Sequence, residues 1–264
     1  MRSVLITGAC GGMGSAAASL LADKGFRVFA LDVNPCRPAD NIFPIKADIT
    51  SEDSLKAAFG QVRGITDSLY AVIHFAGIYM LDSLTEIADS DFRRIIDVNL
   101  RGAYLVNKTF LPMLSAGSRI LMTTSELAAV DPLPFTGLYA VTKGALDRYA
   151  YSLRMELQLL GINVSVLRAG AVKTGMLDVS TEALARFCEE TKLYSCNAVR
   201  FKRIVAGVEA RHISPEVIAK KCAAIIEKRR PRFAYTVNRN PLLILFGLLP
   251  AWVQFRVIRM ILSN

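Results

Sequence analysis

Tyr139 and Lys143 stand four residues apart in the stretch "LYAVTKGAL". On a helix that spacing puts both side chains on one face. A phenol with a pKa near about 10 is a poor base at neutral pH, and a neighbouring ammonium favours its phenolate. A drop of about three units needs about 4 kcal/mol. A lysine and a second positive charge in a shielded site could supply it. Such a pair can pass a proton to or from an alcohol oxygen. By itself Y-x-x-x-K also describes an ordinary surface helix, so the rest of the chain has to decide.

A second chemical signature is "TGACGGMG", Thr7 to Gly14, which follows the apolar run Val4-Leu5-Ile6. Glycines lose more chain entropy on folding than other residues, so four in eight positions need a reason. A strand, a glycine turn and a helix together form a phosphate site. The bare backbone lets a pyrophosphate approach, and the helix N-terminus offers free N–H groups. Gly8, Gly12 and Gly14 fit T-G-x-x-x-G-x-G; Gly8, Gly11 and Gly14 fit G-x-x-G-x-x-G. The loop alone does not choose between these two dinucleotide patterns. Asp32 ends the next apolar run. A carboxylate there accepts hydrogen bonds from both adenosine ribose hydroxyls and repels a 2′-phosphate. NAD is therefore the expected cofactor, with Arg37 the nearby cation that argues for NADP.

These residues need elements to hold them. "SVLITG", "FRVFALD", "FPIKADI", "LYAVIHFAG", "SRILMTTS" and "NVSVLRAG" read as strands, several of them apolar on both faces as in a parallel sheet. "GSAAASLLADKG" reads as a helix with Leu20 and Leu21 inward and Gly25 as its stop. "SEDSLKAAFGQV" opens on Ser51, a cap, with acidic residues behind it. Two longer helices are expected over about 91–114 and 136–160. Alternating βαβ units imply an α/β, doubly wound Rossmann sheet. One domain over 1–240 is expected, with a lid at about 175–213 and an apolar helical extension over 241–264.

The glycine loop, Asp32, Tyr139 and Lys143 together make the chain resemble the classical short-chain dehydrogenase/reductase family, hydroxysteroid and retinol dehydrogenases included, over roughly residues 3–237. Further motifs fall in that family's order. "ADIT" gives Asp48 and Ile49, where the family contacts adenine. "HFAG" stands where it writes N-N-A-G; Ala76 and Gly77 are kept and both asparagines are absent. "DVNLRG" gives Asn99, its fourth catalytic residue, and "MTTSELA" gives Ser125. Ser125 lies one residue farther from Tyr139 than the family's spacing, with Thr124 the other hydroxyl. "RAGAVKT" matches P-G-x-V-x-T, giving Gly170, Val172 and Thr174, with Ala169 in place of the proline. The resemblance implies cofactor contacts at Thr7, Gly8, Gly11, Gly12, Met13 and Gly14 as well as the residues just named. It implies hydride exchange at nicotinamide C4. Tyr139 then moves the proton, Ser125 orients the substrate oxygen, Lys143 holds the ribose and lowers the phenol pKa, and Asn99 links Lys143 to solvent. A homodimer or homotetramer is also implied.

The lid segment offers Met176, Leu177, Phe187, Leu193, Tyr194 and Phe201, joined by Leu127, Leu133 and Phe135. The expected substrate is a lipophilic secondary alcohol or ketone of hydroxysteroid, bile-acid or retinoid type. The alternative is a dinucleotide-binding sensor or scaffold without turnover. After the lid, residues 241–253 are uninterruptedly apolar, too short for the about 20 residues of a membrane span and containing Pro250. Gln254, Arg256 and Arg259 are expected on one side of a short helix. This tail reads as a peripheral membrane contact, a subunit contact or a pocket cover.

The net charge of +9 comes mostly from this end. No nucleic-acid motif accompanies it, so no nucleic-acid partner is expected. The five cysteines form no C-x-x-C pair and there are two histidines. The expectation is five reduced thiols, no metal site and a cytoplasmic protein without a secretory leader.

Overall fold

The computed structural model describes residues 1–208 and 212–263, without the side chains of 177, 178 and 206–208. Strand β1 (Ser3–Thr7) is buried along its whole length, which its unbroken apolar run requires. The glycine turn leads into α1 (Gly12–Asp23), with Leu21 buried and Leu20 partly covered. Gly25, at φ +79°, turns the chain into β2 (Arg27–Asp32). β3 (Ile42–Lys46) lies at the sheet edge, where Pro44 leaves no ladder bond broken in the middle of the sheet. Ser51 caps α2 (Glu52–Arg63) by accepting the Ser54 N–H at 3.2 Å.

β4 (Ala71–His74) precedes the first departure from expectation. The helix read over 91–114 is three pieces: α3 (Asp89–Ile96), a π-helical turn at Asp97–Arg101, and α4 (Gly102–Phe110) with a trailing 3₁₀ turn. Then come β5 (Arg119–Ser125), α5 (Gly137–Leu157), β6 (Asn163–Ala169), α6 (Gly175–Glu190) and α7 (Ser195–Val208) in the segment expected to form a lid, α8 (Pro215–Ile226), and β7 (Ala234–Val237), a strand the sequence reading did not separate. The tail forms α9 (Pro241–Gly247) and α10 (Ala251–Leu262), divided at Pro250. Among the described residues no helix is long and apolar enough to cross a membrane.

The sheet runs β3-β2-β1-β4-β5-β6-β7, all parallel. Its order reverses between β1 and β4, so the strand ends open a crevice there. One face packs on α1 and α8 through Leu21, Ile218 and Ile226; the other packs on α2, α4 and α5 through Leu55, Val106 and Leu146. This is a doubly wound Rossmann domain.

Two expectations need correction. Cys10 and Cys36 are joined by a disulfide, leaving Cys188, Cys196 and Cys222 free, so the chain does not hold five thiols. Adjacent strands β1 and β2 end side by side and bring Cys10 to the segment after Asp32. Among the described residues Cys10, Asp32 and Cys36 also form the one group spaced to hold a metal, but the disulfide engages both sulfurs. Gln254 is not on the outer polar side of α10. It is buried and donates to Asp131 Oδ2 at 3.0 Å and to the Leu249 carbonyl at 2.9 Å.

Candidate active site

The glycine loop is tight because its backbone has close neighbours. Gly8 has φ +68°, and a Cβ there would come within 2.5 Å of Ala76 N. A Cβ on Gly14 would run into the Gly8 carbonyl, and one on Gly12 would lie 2.7 Å from Thr174 Cγ2. Gly11 is the N-cap of α1, whose first turn carries no acidic residue, so its free N–H groups face the loop unopposed. Met13 packs partly against the core. Thr7 Oγ1 accepts from Ala76 N at 3.4 Å, tying β1 to the end of β4.

Asp32 closes the other side. Its carboxylate accepts the Cys10 N–H and the Asn34 N–H, both at 3.0 Å. Asp48 is exposed and accepts from Thr50 N and Oγ1, while Ile49 is buried beneath Gly102. Gly77 lies where a Cβ would stand 3.2 Å from both Lys143 Nζ and Asn99 Oδ1. Gly170 is pressed against the Asn238 carbonyl, and Val172 bridges to Ile213. The cradle is one a nicotinamide dinucleotide fits: side-chain-free where a pyrophosphate comes close, with a carboxylate at the ribose end.

The chemical residues meet at the ends of β5 and α5. Ser125 is the last residue of β5; its hydroxyl accepts the Leu127 N–H at 3.2 Å and is near enough to the Tyr139 phenol to favour its ionised form. Thr124 points the other way and donates to Asp147 Oδ1 at 3.3 Å. Neighbouring strand residues face opposite sides, so only one of the two hydroxyls can serve Tyr139. Lys143, one turn along α5, is buried, donates to the Thr123 carbonyl at 3.3 Å, and lies 5.8 Å from the Tyr139 ring centre. Asn99 sits in the π turn. Its Oδ1 accepts from Ile78 N at 2.8 Å and its Nδ2 donates to Ile78 O at 2.9 Å and Thr142 Oγ1 at 3.1 Å.

Burial sets the electrostatics. It pushes the Tyr139 phenol up to about 12, against the nearby Ser125 hydroxyl, and pushes Lys143 down to about 8. The chain by itself thus raises the phenol pKa where a lowered one was expected, since desolvation outweighs the favourable contacts.

Some neighbours were not foreseen. The Tyr79 ring packs 4.9 Å from that of Tyr139, and nothing in its spacing marks it. His74, in place of an asparagine, is buried and shares a 2.9 Å hydrogen bond with Asn107 Oδ1; Asn107 in turn donates to the Tyr149 hydroxyl at 3.2 Å. Arg168 pairs with buried Asp147 at 2.7 Å, bracing β6 against α5. Phe135, before α5, contacts Phe187 of α6, Phe201 of α7 and Tyr194 between them, with ring centres 4.7–5.4 Å apart. Leu193 is exposed and takes no part in that cluster, while the Leu177 side chain lies outside the described residues.

Residues 2–185 match the profile of the short chain dehydrogenase family. The chain belongs to the short-chain dehydrogenase family. As such it is an oxidoreductase that binds a nicotinamide dinucleotide. It is 30% identical over 272 residues to the uncharacterized oxidoreductase YbbO of Escherichia coli K12, covering 98% of this chain and 94% of that one. It is 32% identical over 260 residues to estradiol 17-beta-dehydrogenase 2 of Mus musculus, covering 90% of this chain and 68% of the relative. A short chain dehydrogenase family protein from Francisella tularensis shares its fold with a TM-score of 0.75 at 21% identity, over 90% of this chain and 97% of the other.

Proposed function

We propose that this short-chain dehydrogenase interconverts a lipophilic secondary alcohol and its ketone with NAD(H), using Tyr139, Ser125, Lys143 and Asn99. The observation that carries this reading is the buried Lys143 ammonium one helical turn from Tyr139 and 5.8 Å from its ring centre, with Ser125 at the adjoining end of β5. The bound dinucleotide supplies or accepts the hydride at its nicotinamide and, when oxidised, a positive charge. Tyr139 exchanges the proton with the substrate oxygen, and Ser125 hydrogen-bonds and orients that oxygen. Lys143 counters the burial of the phenol and holds the nicotinamide ribose. Asn99 fixes the backbone at Ile78 beside Lys143 and connects it toward solvent.

Thr7, Gly8, Gly11, Gly12, Met13 and Gly14 would hold the pyrophosphate end, Asp32 the adenosine ribose, and Asp48 and Ile49 the adenine. Ala76, Gly77, Gly170, Val172 and Thr174 would line the nicotinamide end. Asp32 supports NAD over NADP because a 2′-phosphate would stand against its carboxylate. The aromatic lid around Phe135 and the relative named for estradiol support a lipophilic substrate.

Turnover with NADH and with NADPH, followed by nicotinamide absorbance over hydroxysteroids, bile acids, retinol and small polar alcohols, tests the reading. NAD-linked turnover of a sterol-like compound is expected. Preference for NADPH would overturn the role of Asp32. Binding without turnover on any compound would favour a dinucleotide sensor.

A further inference from the structure

We propose that α9 and α10 form a docking surface for an anionic lipid bilayer. The inner side of α10 is fixed. Ile258 and Leu262 join the cluster of Phe187 and Phe201, Asn197 Nδ2 donates to the Leu262 carbonyl at 2.6 Å, and Gln254 is pinned to Asp131. With that side committed, Trp252, Arg256 and Met260 fall on the opposite face by helical spacing, and Phe255 and Arg259 are exposed on its flank. Trp252 is 62% exposed, Phe255 72% and Met260 73%; Leu248 at the end of α9 is 76% exposed. So many large apolar side chains exposed along two short helices are unusual on a protein that meets only water.

Charge selects the occupant. Residues 228–264 carry seven arginines and lysines and no aspartate or glutamate. A second copy docking by two-fold symmetry would set Arg256 and Arg259 against themselves. A bilayer with anionic headgroups takes the apolar side chains at its acyl boundary and the guanidiniums at its phosphates. Arg256 already lies 5.5 Å over the Trp252 ring, so the cation and the aromatic share one patch. The helices are too short to span, so they lie flat.

The position gives the surface a use. α10 rests on α7, and the Asn240 N–H that opens α9 is held by Glu126, the residue after Ser125. Docking therefore brings that side of the site to the lipid, where a lipophilic alcohol concentrates. That last step rests on the proposed substrate class; the docking itself does not.

Trp252 is the only tryptophan, so its fluorescence reports the patch directly. The whole protein is titrated with phosphatidylcholine vesicles and with mixed phosphatidylcholine–phosphatidylglycerol vesicles. With the mixed vesicles the emission should move to the blue and be quenched by brominated acyl chains. The Phe255→Glu, Met260→Glu double variant should bind them about tenfold or more weakly, as for the loss of a buried aromatic side chain, with an unchanged circular dichroism spectrum and melting temperature. Unshifted emission, or equal binding to uncharged vesicles, would overturn the proposal. So would a blue shift that follows protein concentration without lipid, which would assign the face to a second copy. The measurement uses no substrate, so inactivity on the sterol panel would leave the docking intact, and failure to dock would leave the substrate reading intact.

Discussion

The Asn99 side chain holds both polar groups of one residue's backbone: its Oδ1 accepts the Ile78 N–H at 2.8 Å and its Nδ2 donates to the Ile78 carbonyl at 2.9 Å. This amide clamp joins the π turn to the chain leaving β4, beside Gly77 and Lys143. Asn99→Ala leaves both groups and Thr142 without that partner. Each buried polar group stripped of its bond costs about 1–3 kcal/mol. The variant should therefore lose about 2 kcal/mol or more of stability, seen as a lower urea midpoint at constant slope, and its turnover should fall. An unchanged midpoint would mean that water replaces the clamp freely.

Tyr139→Phe should lower turnover by about 10²–10⁴, the usual worth of a positioned acid–base group. The phenyl ring keeps its packing on Tyr79, and no glycine-loop contact is touched. Dinucleotide binding, measured by protein fluorescence, should stay nearly as in the parent. Wild-type turnover in this variant would remove Tyr139 from the chemistry.

The parts of this molecule that were legible in the sequence are those where local pattern and tertiary burial agree. β1, β4, β5 and β6 show as apolar runs because a parallel sheet covers both their faces. Ser51 reads as a cap because a short hydroxyl side chain is suited to that one position. The π turn at Asn99 left no trace in the periodicity, since one extra residue shifts the helix face without changing residue types. Gln254 was misplaced because a helical wheel gives faces but not which face is buried. The disulfide follows from strand order, which places the end of β1 beside that of β2; cysteine spacing along the chain carries no such information. The His74 partner likewise comes from α4, across the fold.

His74 gives the protein an acid weakness. Its burial, aided by the Lys143 charge and opposed by the Asn107 hydrogen bond, lowers its pKa from 6.5 to about 4. Between those values the unfolded chain binds a proton that the native protein does not, so stability falls as the pH drops through this window. At about 1.36 kcal/mol per unit, moving from pH 7 to pH 5 should cost about 2 kcal/mol through this residue. His74→Gln keeps an amide that can donate to Asn107 without titrating. Urea unfolding at the two pH values should show the parent losing about 2 kcal/mol more than the variant. Equal losses would show that His74 is protonated in the native state or that its neighbours rearrange.

The Cys10–Cys36 bond makes a prediction about the dinucleotide cradle as well as about stability. In denaturant the oxidised protein should show three reactive thiols, those of Cys188, Cys196 and Cys222, and five after reduction. The bond spans a sequence separation of 26, and closing a loop of that length restricts the unfolded chain by about 3.5 kcal/mol. Cys10→Ser with Cys36→Ser should lower the melting temperature accordingly. Asp32, however, is positioned by the backbone N–H groups of Cys10 and Asn34, which the substitutions leave in place. Dinucleotide affinity should therefore change little while stability falls. A large loss of affinity in the folded double variant would instead mean that the disulfide, and not these two backbone donors, holds the Asp32 carboxylate where it stands.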